Sequence, residues 1–351
     1  DKRNKADYLI ITTDELSGVA QTLANYRKMQ RFETKVIKLE DIMDEFNYGI
    51  SSPTAISDFL GYAYKNWTKP PKYVVLAGEG TYDYKDNQGY GDNLVPTIIV
   101  QTQQGLFPSD NLFADVNNDH VPEMAIGRLP VATPDELKNV IDKIIAYERS
   151  FKNKVIMLAD NPDDGGDFTK YSNEIAALVS PGYSVRKIYL SDFPVNNARQ
   201  MLFSEINDGS AILNYIGHAG VNTLANEGLL LTSDVPSLTN GNRLPILTAM
   251  TCIVGQFAVP GYDSLSEALL LKASDGAAAV WAPSGLSFNS LSVILDQGFF
   301  KAAFQNKKDV LLGDVILKAF RDYSNTGGPT FMLDIYNLLG DPAMRMQGLQ
   351  R

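Results

Sequence analysis

One thiol and one imidazole stand where covalent chemistry would need them. Cys252 is the only cysteine in 351 residues and His218 is one of two histidines. Cys252 ends the apolar run Pro245-Ile-Leu-Thr-Ala-Met-Thr251, and Ile253-Val-Gly255 then turns the chain. His218 follows the run Ala211-Ile-Leu-Asn-Tyr-Ile216, within Gly217-His218-Ala219-Gly220. Each sits at the exit of a predicted strand, as a cysteine nucleophile and its proton carrier would. In open parallel sheets the functional crevice lies at the carboxyl ends of the strands. An imidazole there raises the thiolate fraction and later protonates a leaving amine, and backbone N–H groups after His218 and at Cys252 can receive an oxyanion. Acyl transfer is the reaction class this implies. The same placements also suit a small buried thiol and a satisfied loop histidine.

The elements that position this pair alternate. The first series runs strand Tyr8–Thr12, a helix striped by Leu16, Val19, Ala20, Leu23 and Tyr26, strand Lys35–Leu39, a helix opened by Ser52-Pro53, and strand Tyr73–Ala77. A loop-rich stretch follows, and Thr133-Pro134-Asp-Glu136 is a capping box opening a helix that ends near Ser150. A second series begins at Val155 and continues through helix Tyr171–Val179, strand Ser184–Leu190, helix Asn197–Asn207 and the two strands before His218 and Cys252. Helix Leu265–Ala273, strand Ala277–Ala282 and helices over Leu291–Phe304 and Val310–Tyr323 complete it. This alternation predicts an α/β protein with mostly parallel sheets, in two similar halves, 1–150 and 151–351.

Composition narrows the class of partner. Hydrophobic residues make up 44% of the chain, enough for a packed core, and no apolar stretch approaches a membrane span. With 31 basic against 41 acidic side chains the net charge is −10, which argues against nucleic acid. A single cysteine leaves the redox compartment open. The start at Asp1-Lys-Arg-Asn-Lys5, without Met or an apolar signal core, reads as a mature or excised segment. Gly78-Glu79-Gly80 lacks the third spaced glycine of a nucleotide-binding turn.

Tyr215-Ile-Gly-His218-Ala-Gly220 and Leu247-Thr-Ala-Met-Thr-Cys252-Ile-Val-Gly-Gln-Phe257 resemble the His and Cys motifs of gingipain-type cysteine peptidases, members of the caspase-like clan. The resemblance extends to the stretch Pro108–Arg128, to Ser266-Glu267-Ala-Leu269 and to Leu339-Gly-Asp-Pro-Ala343, and it covers about Asp7 to Met346. It implies two adjacent three-layer α/β subdomains, with His218 as acid/base and Cys252 as nucleophile of an endopeptidase. Ala219 stands where the family often has a second glycine, and its methyl would crowd the oxyanion site. The family also places an acidic residue beside the histidine. Here Asp160, Asp163 and Asp164 are the candidates, while Asp167 matches the residue at the bottom of the S1 pocket, implying cleavage after Arg or Lys. Phe288 resembles the aromatic wall of that pocket.

The alternating oxygen ligands of Asp115-Val-Asn117-Asn-Asp119-His-Val121-Pro-Glu123 suit a hard cation such as Ca2+, in a loop that is not an EF-hand. By resemblance the ion's ligands match Glu79, Val116, Asp119, Val121 and Glu123, and a second ion matches the Phe257 carbonyl and Glu267. His120, inside this turn, reads as a solvent-facing loop residue without a catalytic role. The resemblance implies a bacterial protein, secreted or at the cell surface, acting on protein or peptide substrates. It also implies a propeptide or flanking domains, such as a β-sandwich following Pro342. Two alternatives are a sortase-like transpeptidase of a bacterial secretion system and a binding module with a non-productive dyad.

Overall fold

The structure, a computed structural model, describes residues 2–91, 93–150, 152–305 and 310–346. The first half supplies β1 (Tyr8–Thr12), α1 (Asp14–Met29), β2 (Thr34–Lys38), α2 (Leu39–Asn47), α3 (Pro53–Asn66) and β3 (Tyr73–Ala77). The hairpin β4 (Ile98–Thr102) and β5 (Gly105–Ser109), then β6 (Ala125–Leu129) and α4 (Pro134–Arg149), follow. The second half supplies β7 (Lys154–Ala159), α5 (Phe168–Ala176), β8 (Ser184–Tyr189), α6 (Val195–Asp208) and β9 (Ile212–Ile216). Three two-residue strands come next, β10 (Ala219–Gly220), β11 (Thr223–Leu224) and β12 (Leu230–Leu231). The chain then forms β13 (Ile246–Met250), α7 (Leu265–Leu271), β14 (Ala279–Pro283), α8 (Asn289–Gln305), α9 (Leu312–Ser324), α10 (Phe331–Ile335) and β15 (Tyr336–Leu339).

Strands from both halves belong to one ten-stranded sheet, ordered β2-β1-β3-β6-β15-β14-β13-β9-β7-β8. Apart from β15, the neighbours within each half pair in parallel, as βα alternation requires. β15 lies between the halves, antiparallel to β14, and meets β6 through the single pair Leu339–Arg128. Its position explains why the strands around it are short and buried on both faces. The expected boundary at 151 falls on Phe151, which lies outside the described residues.

The stretch read from sequence as loop-rich holds a hairpin and the central strand β6. That strand was concealed because Gly127 and Arg128 interrupt its apolar run. Both are required by packing: a Cβ at Gly127 would collide with the Gly340 carbonyl. Arg128 is fully buried, bonding Asp110 through Nε at 2.6 Å and Nη2 at 2.8 Å, with Nη1 donating to the Gly78 and Val95 carbonyls. Removing one member of such a pair costs about 3–5 kcal/mol. The helix α2 was hidden differently, since β2 runs into it without a loop.

Helix ends follow their sequence signals. Thr133 and Glu136 form the capping box of α4, Ser264 and Glu267 that of α7, and Ser52 caps α3 with Pro53 in the first turn. The C-terminal end of α7 is closed from the other half of the chain. The buried Lys143 ammonium on α4 donates to the carbonyls of Leu269, Leu270 and Lys272 at 2.9, 2.7 and 3.0 Å. Among the described residues no helix is long and apolar enough to cross a membrane.

Candidate active site

Parallel strands β9 and β13 are neighbours in register, with Ile216 opposite Met250, so the chain leaves both at the same edge. His218 is two residues past β9 and Cys252 two past β13. Both side chains line one cleft of about 300 Å3, together with Asp164, Phe168, Thr251, Ser287, Phe288 and Asn289. The acidic loop after β7 closes one side of this cleft and the loop after β14 another.

The turn at Cys252 is strained. Val254 N–H donates to the Cys252 carbonyl at 2.6 Å, and Ile253 between them has φ of 39°. A β-branched residue in that region costs about 1–3 kcal/mol, and the surrounding bonds over-determine it. Ile253 N–H is held by the Gly285 carbonyl and Gly255 N–H by that of Pro283. Sγ contacts the N–H and carbonyl of Ser287, each at 3.5 Å. Burial pushes the thiol pKa up, opposed in part by the Ser287 N–H. The thiol therefore needs a proton acceptor near neutrality.

His218 is fixed at its backbone and at its ring by different carboxylates. The buried Asp160 accepts from the N–H of His218 at 3.0 Å and from that of Asn161 at 2.8 Å, and desolvation raises its pKa. Tyr215 Oη donates to the His218 carbonyl at 2.5 Å. No side chain fits at Gly217, where a Cβ would overlap Asp160 and the Tyr215 hydroxyl. Asp163 instead meets the ring, Oδ2 to Nε2 at 2.9 Å. Partial desolvation works against the Asp163 carboxylate, but Gly165 N–H, His218 and Gly166 N–H outweigh it and hold its pKa below the usual value. Phe168 packs edge-on against the imidazole at 5.2 Å between centroids.

Thus, of the three acidic residues left open by the sequence, Asp160 fixes the histidine's backbone, Asp163 touches its ring, and Asp164 lines the cleft. Asp167, expected at the bottom of a pocket that receives a basic side chain, is not among the residues lining the cleft. Its exposed carboxylate caps α5, accepting from Lys170 N–H at 2.9 Å. Phe288 does line the cleft, packed edge-on against Phe331. Ala219 pairs with Leu224, and the bond from Ala225 N–H to the His218 carbonyl makes this a non-hydrogen-bonded pair, which keeps the Ala219 N–H out of the ladder. The N–H of Cys252 has no hydrogen-bond partner among the described residues. Sequence reasoning missed Phe168, Ser287 and Asn289. Only Phe168 left a trace, as the first apolar residue after the acidic loop.

Two groups of carboxylates gather away from the cleft, each with one oxygen per residue within 4.8 Å of the others: Asp115, Asp119 and Glu123, and Glu79, Asp263 and Glu267. Glu79 was expected with the first group and stands in the second. It follows β3 with its backbone held to Val131 and Val95. Val116 and Val121 turn their N–H groups onto Glu123 and Asp119, which leaves their carbonyls as the available oxygens. Glu267 is fully buried, and its pKa is raised well above the usual value by desolvation, with Glu79 adding repulsion. Converging hard oxygen donors of like charge are the chemistry Ca2+ requires. Phe257 is buried with its ring against the Arg128 guanidinium at 5.0 Å. His120 is only partly exposed and bonds Asp334 at 2.8 Å.

A family model described as Peptidase family C25 matches residues 1–347. Gingipain R2 of Porphyromonas gingivalis is 25% identical over 288 residues, which cover 79% of this chain and 36% of that protein. Lys-gingipain W83 of the same organism is 30% identical over 160 residues, 42% of this chain and 9% of that one. The chain thus spans about a third or less of the length of these curated relatives. The crystal structure of the Arg-specific cysteine proteinase gingipain R superposes with a TM-score of 0.80 at 22% identity, covering 98% of this chain and 78% of that one. This is the caspase-like fold expected from the sequence.

Proposed function

The chain belongs to peptidase family C25, and on that premise we propose that it is a cysteine endopeptidase with Cys252 as nucleophile and His218 as its acid/base partner. What supports this is that the only thiol in the sequence and an imidazole held by a carboxylate line the same cleft. With Asp163 accepting the Nε2 proton, Nδ1 carries the lone pair and takes the thiol proton as Sγ attacks the peptide carbonyl carbon. The negative charge that develops on oxygen is received by the N–H groups of Cys252 and Ala219. His218 returns the proton to the leaving amine, giving a thioester. Water, deprotonated by the same imidazole, then releases the acid.

The relatives named for Arg and Lys make a basic residue the preferred side chain on the amino side of the cut. In this chain Asp164, the carboxylate lining the cleft, is the group that would receive it, with Phe288 covering its aliphatic stem. In this reading residues 151–351 are the catalytic subdomain and residues 1–150 a supporting one. Ca2+ would be held by Asp115, Asp119, Glu123 and the carbonyls of Val116 and Val121, and a second ion by Glu79, Asp263, Glu267 and the Phe257 carbonyl. When bound, the ions neutralise clustered carboxylates and stiffen the loops. A secreted or cell-surface location in a bacterium, and a propeptide or flanking domains in the whole protein, go with this reading.

The test is a fluorogenic peptide panel varied at the residue before the reporter, with calcium and reductant, run on wild type and Cys252→Ala. Cleavage after Arg or Lys by wild type alone is expected. Equal cleavage by Cys252→Ala would reject the nucleophile, and products capped by an added amine instead of water would make the enzyme a transpeptidase.

A further inference from the structure

The carboxylate that touches the His218 ring stands on a tight turn whose bonds are mostly internal. Asp163 Oδ1 accepts from Gly165 N–H at 2.7 Å, and the N–H and carbonyl of Asp163 pair with the carbonyl and N–H of Gly166 at 3.1 and 3.0 Å. These bonds give the turn its shape without fixing it in the cleft. The contact from Asp163 to the ring, at 2.9 Å, joins two side chains that are 39% and 46% exposed, so it is screened by solvent and holds the turn weakly. The placement of the carboxylate therefore depends on what else anchors the backbone that carries it.

That anchor comes from another wall of the cleft. Asn289 opens α8, and its Nδ2 donates to the Gly165 carbonyl at 3.1 Å. Two glycines make the approach possible. A Cβ at Gly165 would stand 3.2 Å from both Cε1 and Nε2 of His218, so the backbone of the turn lies directly against the ring, and a Cβ at Gly166 would collide with Asn289 Nδ2. The other end of the amide has no use: Oδ1 is buried without a hydrogen-bond partner among the described residues. A buried unpaired oxygen is costly, and on stability alone an apolar side chain of similar shape would serve at least as well. What accounts for an amide here is the bond that Nδ2 makes to the turn.

We propose that Asn289 is a positioning residue, which ties the Gly165 carbonyl to the start of α8 and so holds Asp163 in place against the His218 ring. This rests on the peptidase reading above and deepens it, adding a residue that acts on the imidazole through Asp163.

The experiment compares Asn289→Ala, and Asn289→Leu, which keeps the bulk and loses the donor, with wild type and in an Asp163→Ala background. On a fluorogenic Arg reporter both substitutions are expected to lower kcat about threefold with KM unchanged, and to change nothing further once Asp163 is gone. A rise in KM at unaltered kcat would make Asn289 a substrate contact, full kcat in Asn289→Leu would make its role one of packing, and a loss that multiplies with that of Asp163→Ala would make it independent. Each overturns the proposal. The Asp163 carboxyl gives a readout that needs no hydrolysis, titrated by 13C NMR in aspartate-labelled protein and assigned through Asp163→Asn. Desolvation works against this carboxylate, and Gly165 N–H, the His218 ring and Gly166 N–H together hold its midpoint below the usual value. In both Asn289 variants the midpoint should move up toward the ordinary carboxylate range. That movement supports the proposal even if wild type hydrolyses nothing, and an unmoved midpoint refutes it even if wild type is an active peptidase.

Discussion

Replacing Asp163 isolates the one carboxylate that touches the His218 ring. A hydrogen bond to a charged group contributes about 1.5–3 kcal/mol. Here the two side chains are 39% and 46% exposed, so solvent screening discounts the contact to roughly 1 kcal/mol. Since about 1.4 kcal/mol is tenfold, Asp163→Asn, which keeps an acceptor for the 2.7 Å bond from Gly165 N–H, is expected to lower kcat about fivefold with little change in KM. Asp163→Ala also frees the loop and is expected to lower it further, by roughly 10- to 50-fold. Stability gives an independent check. The Asp163 carboxyl is depressed in the folded state, so its contribution is fully present above the ordinary carboxylate range and is lost as pH falls through the depressed value. The difference in Tm between wild type and Asp163→Asn should therefore shrink toward acid. A fluorogenic Arg peptide reports kcat and KM, and thermal scans from pH 7 downward report the linkage. Full kcat in Asp163→Ala, alongside lost kcat and unchanged Tm in Asp160→Ala, would refute the assignment and make Asp160 the orienting group.

The two remaining loop carboxylates should separate specificity from stability. Asp164→Asn is expected to cut the preference for Arg over Leu before the scissile bond by about tenfold or more. Asp167→Ala should leave that preference alone and cost about 0.5–2 kcal/mol as a lost helix cap, and preference lost in Asp167→Ala would reverse the roles. Added calcium should raise the Tm of chelated protein, by about 2.7 kcal/mol of stability at a hundredfold excess over Kd. Asp119→Ala and Glu267→Gln should each remove only part of that gain, and a scan insensitive to calcium would rule both sites out. Deep in the second half, desolvation pushes the carboxyl of Asp296 up to about 8, against an amide of Asn214 at 2.9 Å from both oxygens. Its folded pKa is raised, so its contribution is fully present below the ordinary carboxylate range and is lost as pH rises toward 8. Asp296→Asn should gain in Tm relative to wild type between pH 5 and pH 8, and a pH-independent difference would contradict the burial.

Residues whose environment is local were legible in the sequence. Strands β1, β3, β7, β9 and β13 are buried on both faces and therefore read as short apolar runs between helical stripes. The capping box of α4 and the exits to His218 and Cys252 follow from neighbours a few positions away. What stayed hidden depends on distant partners. β6 carries Arg128 because Asp110 and two carbonyls receive it, and β15 carries the buried Asn337, which accepts from Asp110 N–H and donates to Pro108. The loop after β7 holds four aspartates within eight residues, and offsets alone could not tell a ring contact from a backbone contact or a helix cap. Glu79 gathers with Asp263 and Glu267, a grouping that offsets along the sequence do not display because its members come from distant segments.

The pairing of Cys252 with His218 is tested most directly by alkylation of the thiol, which is unambiguous because the chain has one cysteine. Iodoacetamide labelling near pH 7, followed by mass spectrometry, should be about tenfold or more faster in wild type than in His218→Ala, because the imidazole offsets the burial that keeps the thiol protonated. Equal labelling rates in the two proteins would mean that the ring does not act on the sulfur, and the acyl-transfer mechanism would fall with it.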